Sequence, residues 1–205
     1  MFYDILDKKR IEILSFFNLF KDRFYLAGGT GLALQIGHRD SIDFDFFTQS
    51  HIDTAKLFNE LRDGFADRQI IRTLEEKDSL NVIVDGSIKL SFFRYPYILI
   101  KDCLDEENLR IASIEDIACM KLSAIVSRAV EKDFVDLYFI IKKIPLNTLL
   151  KIAEQKMPNL DTNLVLKSLV YFDDVIEEKI KFKHGFNVSM KELKLFFEEQ
   201  VKRSI

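Results

Sequence analysis

The sequence has little of what marks several classes of protein. Its 205 residues include two cysteines, three prolines, seven glycines and no tryptophan. So little proline and glycine excludes a long flexible linker, and Cys103 and Cys119 lack the spacing of a metal site or a disulfide framework. No apolar run approaches the ~18 residues that span a bilayer. The start, MFYDILDKKR, lacks the basic-then-apolar order of a signal peptide. We therefore expect a cytoplasmic protein with no membrane partner.

A strong basic excess is also missing, since the formal net charge is −3. Hydrophobic residues make up 48% of the chain and charged residues 31%. This is the composition of an ordinary globular protein, with enough apolar material for a sizeable core. Composition alone therefore indicates neither disorder nor a nucleic-acid-binding surface.

Hydrophobic periodicity predicts an α+β fold. We expect a helix over 3–20, a strand over 24–27, a short helix from Gly31, a strand over 41–47, a helix over 53–65, and strands over 80–84 and 87–93. Asp85-Gly86 predicts a tight hairpin between the last two strands. Ser113 and Asp116 form a capping-box pattern that opens a helix to about residue 127. Further helices are expected over 132–143, 146–156, 162–173 and 189–204. This order predicts a small mixed-sheet core with flanking helices over 1–105 and a helical bundle over 106–205.

Asp43 and Asp45 are the most informative pair of residues. In SIDFDFF the alternation places Ile42, Phe44 and Phe46 on one face of a strand and both aspartates on the other, roughly 7 Å apart at the backbone. Their like charges repel unless a cation or water lies between them. Oxygen ligands at this spacing suit Mg²⁺. The simpler alternative is an exposed strand face that happens to be acidic.

Gly28-Gly29-Thr30 lies between a strand and a helix, about a dozen residues before this pair. Glycines there let backbone N–H groups approach a phosphate, the helix N-terminus adds a favourable dipole, and Thr30 offers a hydroxyl donor. Taken alone, such a turn is only a tight connection. A phosphate cradle followed by two metal-binding carboxylates is a more specific pattern than either half.

The run AGGTGLALQIGHRDSIDFDFFT at 27–48 resembles the opening motif of the AbiEii/AbiGii-type nucleotidyltransferase toxins, members of the DNA polymerase β-like superfamily. SIEDIACMKLSAIVSRAVEKDFVDLYFI at 113–140 resembles the helical signature of that family. The resemblance implies a nucleotidyltransferase core and transfer of a nucleotidyl group from a nucleoside triphosphate to RNA, protein or a small molecule. It implies that Gly28, Gly29 and Thr30 hold phosphates and that Asp43 and Asp45 bind Mg²⁺ (or Mn²⁺). It also implies a partner antitoxin.

The second block adds Lys121 and Arg128, which a helix places two turns apart on nearly one face. Both side chains are candidates to meet phosphates, and we assign Lys121 and Asp133 to the catalytic site. The alternative is intramolecular: Arg128 and Lys132 pair with Asp133 and Asp136 and lock two helices together.

His38 and Arg39 lie just before the acidic strand. His38 is a candidate general base, although a histidine in a turn more often makes a structural hydrogen bond. Arg39, with its fixed charge and forked donors, is the better candidate to bind an anion. We assign it to nucleotide binding.

One position departs from the superfamily pattern. Its transferases usually take a third carboxylate from a neighbouring strand, but the polar face of IKLSFF at 88–93 carries Lys89 and Ser91. The missing carboxylate belongs near Ser91, and a serine is a weak Mg²⁺ ligand. This favours an alternative function, a nucleotide-binding module with impaired catalysis that acts through a partner. A pure interaction protein and an antibiotic-modifying transferase are further alternatives.

Overall fold

The computed structural model describes residues 1–204. Its N-terminal segment is a series of short turns: a 3-10 turn at Tyr3–Ile5, helix α1 at Lys8–Glu12 and a 3-10 segment at Leu14–Leu19. The prediction of one helix over 3–20 was therefore wrong. The Asp7 side chain accepts a hydrogen bond from the Arg10 backbone N–H and starts a new helix there. The apolar side chains are still buried, with Phe17 and Phe20 in the core.

A seven-stranded mixed sheet forms the centre of the molecule. Its strands are β1 (Tyr25–Leu26), β2 (Phe44–Thr48), β3 (Ile70–Glu76), β4 (Ser79–Val84), β5 (Ile88–Arg94), β6 (Leu104–Asp105) and β7 (Arg110–Ile111). Their order across the sheet is β3-β4-β5-β2-β1-β7-β6. The β2–β5 and β1–β7 pairs are parallel, and the other pairs are antiparallel. The α+β fold is thus confirmed.

The hairpin between β4 and β5 turns at Asp85 and Gly86, both with positive φ, as the sequence predicted. Strand β3 was not predicted. It lies at one of the two edges of the sheet and its residues are partly or fully exposed, so IIRTLEE carries no alternation of buried and exposed side chains. A register shift between Arg72 and Leu74 disturbs the pattern further.

The helices follow the predictions closely. They are α2 (Gly28–Ile36), α3 (Thr54–Gly64), α4 (Ile114–Ser127), α5 (Glu131–Ile141), α6 (Leu146–Lys156), α7 (Thr162–Val170) and α8 (Met190–Lys202). Ser113 caps α4 by accepting from the Asp116 backbone N–H. Among residues 1–204, no helix combines the length and hydrophobicity that a membrane crossing requires.

Two hydrophobic clusters divide the core. One packs the N-terminal turns and α3 against the side chains of Leu80, Leu90 and Phe92 on one face of the sheet. The other joins α4–α8 to one side of α2. Strand β7 lies beyond the predicted boundary after residue 105 and still pairs with β1 in the same sheet, so the division into two domains stays a prediction. The structure places the change from sheet to helices at about residue 113.

Candidate active site

Asp43 and Asp45 lie where β2 begins. Phe44 and Phe46 are buried in the core, and Asp45 points to the opposite face, as the alternation predicted. Asp43 directly precedes the strand. Ile42 departs from the prediction, since it is 55% exposed rather than aligned with the core phenylalanines. The alternation becomes regular only where hydrogen bonding to β5 begins, at the pair Phe44–Leu90.

In the described part of the chain neither aspartate forms an ion pair. Burial, together with repulsion from the Asp43 carboxylate, raises the pKa of Asp45 above its ordinary value. Lys89 and Lys121 act in the opposite direction. The pair is therefore a site of negative charge that no protein cation fully neutralises, which makes a bound cation favourable.

Gly28, Gly29 and Thr30 form the first turn of α2 rather than a loop before it. No side chain caps this end, so its first backbone N–H groups are left without intrahelical partners. Gly28 has a φ of 63°, and a Cβ there would lie 2.9 Å from Oδ2 of Asp45. Glycine is required at this position by both backbone conformation and space. It brings the helix N-terminus into direct contact with the carboxylate.

Thr30 and Gly29 have structural contacts that the sequence did not reveal. The Thr30 hydroxyl is buried and donates to the backbone carbonyl of Asp43. Thr30 does not line the cleft described below, and its hydroxyl is engaged within the protein. A Cβ on Gly29 would lie 2.6 Å from Nη2 of Arg39. Gly29 is therefore needed for packing against Arg39.

Asp136 is the centre of a buried charge cluster. It accepts from Nε2 of His38 at 2.7 Å, and from Nε and Nη2 of Arg39 at 2.7 and 2.8 Å. Lys121 Nζ lies 2.5 Å from Oδ2 of Asp136. Burial acts to raise the pKa of Asp136, but the charges of Arg39 and Lys121 outweigh it and hold that pKa well below its ordinary value.

This cluster bears on Arg39 and His38. The forked donors of Arg39 are paired with Asp136, but Arg39 also lines the cleft, so its assignment to nucleotide binding stays a prediction. His38 is fully buried and does not line the cleft. Burial lowers the pKa of His38. The structural interpretation of this histidine is therefore confirmed, and the general-base interpretation is wrong.

Lys121 and Asp133 join the two helices of the second sequence block. Lys121 Nζ lies 2.7 Å from Asp133 Oδ1, and Nε of Arg128 donates to Asp133 Oδ2 at 3.0 Å. The predicted intramolecular pairing is confirmed for Arg128. It is wrong for Lys132, which pairs instead with Glu178 at 3.2 Å. Lys121, Arg128 and Asp133 nevertheless line the same cleft as Asp43 and Asp45.

That cleft has a volume of about 740 Å³. Its floor is the β2–β5 face with Asp45, its sides are α2 and α4, and one wall is the strap, residues 176–183. The strap is held to both halves of the molecule: Ile176 N–H donates to the Ala129 carbonyl, and Asp40 N–H donates to the Lys181 carbonyl. Phe47, Phe93 and Tyr95 line an apolar end of the cleft.

No element was predicted for the strap. Its segment KIKFK at 179–183 alternates lysines with Ile180 and Phe182, which pack on the helical core. This period of two predicts an extended segment with one basic edge. The cleft contains seven basic and five acidic residues. Within residues 1–204, Lys89, Lys179 and Lys181 are its basic residues that form no ion pair.

Comparison with known proteins now decides the family. The model of the family described as nucleotidyl transferase AbiEii toxin, type IV toxin–antitoxin system, matches residues 14–202. The chain belongs to the AbiEii family. It is 39% identical over 185 residues to the uncharacterized protein aq_aa25 of Aquifex aeolicus, with 87% of this chain and 86% of the relative covered.

Solved structures share the AbiEii-type fold. JHP933 of Helicobacter pylori superposes with a TM-score of 0.57 at 18% identity, over 97% of this chain and 94% of its own. The nucleotidyltransferase toxin MenT4 of Mycobacterium tuberculosis superposes with a TM-score of 0.58 at 14% identity, over 93% and 80%. These likenesses confirm a nucleotidyltransferase fold.

The donor groups in this AbiEii chain fit one divalent cation. Mg²⁺ favours one or two carboxylates completed by phosphate oxygens and water. Asp43 and Asp45 supply the carboxylates, without competing ion pairs among the described residues. Because Gly28 has no Cβ, phosphates on the α2 N-terminus could lie directly beside Asp45.

Proposed function

We propose that this AbiEii toxin is a metal-dependent nucleotidyltransferase that uses a nucleoside triphosphate. The supporting observation is the pairing of two unneutralised carboxylates with an uncapped helix N-terminus, in contact through Gly28 and Asp45. The unpaired lysines at the cleft, Lys89, Lys179 and Lys181, add the positive charge that a polyanionic substrate needs.

In this proposal the backbone N–H groups of Gly28, Gly29 and Thr30 donate to the β- and γ-phosphates. Asp43 and Asp45 hold Mg²⁺ (or Mn²⁺), which when bound offsets phosphate charge and polarises the bonds to phosphorus. Most of the catalytic effect then comes from alignment and electrostatic stabilisation.

Lys121, Asp133, Arg128 and Arg39 have supporting roles. Asp133 holds Lys121 and Arg128 on the cleft wall, where the Lys121 charge helps to keep Asp45 ionised. Arg128 has a side chain that is 63% exposed, so it lies at the rim and can meet a phosphate. Arg39, fixed by Asp136, supports the Gly29 turn rather than binding phosphate as a free group.

We infer an anionic acceptor, such as an RNA end, because the strap places Lys179 and Lys181 at the cleft. The family, named as part of a toxin–antitoxin system, makes an antitoxin the expected partner. We place the protein in the cytoplasm, with Cys103 and Cys119 both free thiols.

Calorimetry tests the metal and nucleotide assignment. Nucleoside triphosphates are titrated into wild type and the Asp43→Asn/Asp45→Asn double variant, each with and without Mg²⁺. We expect tight binding only for wild type with Mg²⁺. Asp53→Asn is the control, since Asp53 is an exposed helix cap that does not line the cleft. Equal affinity in all arms contradicts the metal-site proposal.

A nucleotide-binding module with impaired catalysis is the second candidate. It is favoured by Ser91, a neutral residue in register with Asp45. Incubation of wild type with labelled nucleoside triphosphates and cellular RNA or protein separates the two candidates. Labelled acceptor supports the transferase, and binding without any labelling supports the module.

A further inference from the structure

Strand β5 adds no acidic group to the catalytic face. Ser91 pairs in register with Asp45 across the parallel β2–β5 ladder, so both side chains project to the same side. Lys89 and Phe93, two residues away on either side, share that face and line the cleft. The position of the expected third carboxylate is therefore a serine, fully buried beside Asp45.

The cross-strand row formed by Asp45 and Ser91 continues on β4 with another neutral side chain. Asn81 on β4 is in register with Ser91. Asn81 Oδ1 and Ser91 Oγ are both buried without a hydrogen-bond partner of normal geometry in the described residues. The row that starts at Asp45 thus continues with two uncharged side chains, Ser91 on the neighbouring strand and Asn81 one strand further.

Lys89 brings a positive charge to this face of the sheet, two residues before Ser91 on β5. It lines the cleft together with Asp45 and belongs to no ion pair within residues 1–204. Neutral hydroxyl and amide oxygens bind a divalent cation weakly compared with a carboxylate, and a nearby ammonium repels it. Across the same residues, no group of three or more His, Cys, Asp or Glu side chains could hold a metal ion.

We propose that this site takes a single divalent cation together with the nucleotide, and that Lys89 occupies the electrostatic place of a second, acceptor-side cation. This rests on the proposed function and goes beyond it. The two carboxylates share the one cation with the triphosphate. The acceptor then approaches a face that carries the Lys89 ammonium and no third carboxylate.

The test counts bound Mn²⁺ by electron paramagnetic resonance. Each protein is saturated with non-hydrolysable analogues of ATP, GTP, CTP and UTP, and Mn²⁺ is titrated. We expect one Mn²⁺ per protein–nucleotide complex in wild type, one in the neutral control Ser91→Asn, and two in Ser91→Asp. In Ser91→Asp/Lys89→Met the second Mn²⁺ should bind roughly five- to tenfold more tightly, because a like charge has gone.

The outcomes separate this inference from the proposed function. Two Mn²⁺ ions in wild type overturn the single-cation proposal and leave the nucleotide site intact. If folded Ser91→Asp binds only one Mn²⁺, the role given to Ser91 is wrong. If the second Mn²⁺ binds Ser91→Asp/Lys89→Met no more tightly than Ser91→Asp, the role given to Lys89 is wrong. No Mn²⁺ with any analogue overturns the proposed function and this inference with it. Circular dichroism confirms that each variant is folded.

Discussion

Replacing Asp136 with asparagine tests whether the charge cluster stabilises the fold. The carboxylate is fully buried and meets His38, Arg39 and Lys121 within 2.8 Å. Asparagine preserves the shape but leaves two buried cations with Asp133 as the remaining carboxylate. Removing one partner from a buried ion pair costs about 3–5 kcal/mol. For a chain of this length that corresponds to a decrease of about 6–20 °C in the melting temperature.

Urea unfolding at pH 7.5 measures the effect. The depressed pKa of Asp136 means that its contribution is fully present above the unfolded-state value of ~3.9 and is lost only as pH falls through the lower folded value. Asp133→Asn is the matched control. We expect this substitution to lower the free energy of unfolding by only about 1–2 kcal/mol. Lys121 keeps its ion pair with Asp136, and the Arg128 side chain is largely exposed to solvent. A loss below about 1 kcal/mol for Asp136→Asn refutes the cluster's structural role.

Two further substitutions test the α2 turn. Gly29→Val should lower the stability of the fold by about 1–3 kcal/mol and also lower nucleotide affinity, because the added Cβ meets Arg39. Thermal melting measures the stability and calorimetry the affinity. An unchanged melting temperature contradicts the packing role of Gly29. The control Gly86→Ala has no atom within 4 Å of the added Cβ and should leave nucleotide binding unchanged. Thr30→Val should cost about 1–3 kcal/mol by leaving the Asp43 carbonyl unpartnered, whereas Thr30→Ser keeps the hydroxyl. Equal stability of the two Thr30 variants argues against that hydrogen bond.

Much of the fold could be predicted because the signals are local. The Asp85-Gly86 turn, the Ser113 cap and the alternation around Asp45 each act through neighbouring residues. The same is true of the glycines in the first turn of α2, whose conformational freedom is visible in the sequence. Local patterns failed to predict secondary structure where the burial of the side chains does not follow a regular period along the segment. The N-terminal apolar stretch became several turns, and the exposed edge strand β3 left no pattern.

The sequence by itself determined which chemical groups are present: two carboxylates two residues apart, a glycine pair before them, and no acid at Ser91. Tertiary structure decided which of the other charged groups are free. From the sequence, Arg39 was a candidate to bind an anion and Lys132 a candidate to pair with Asp133 or Asp136. In the structure Arg39 is paired with buried Asp136, and Lys132 with Glu178 of the strap. Lys89, by contrast, forms no ion pair within residues 1–204 and lies beside Asp45. The physical reason is that ion pairing depends on distances across elements far apart in the chain, and no local pattern encodes them.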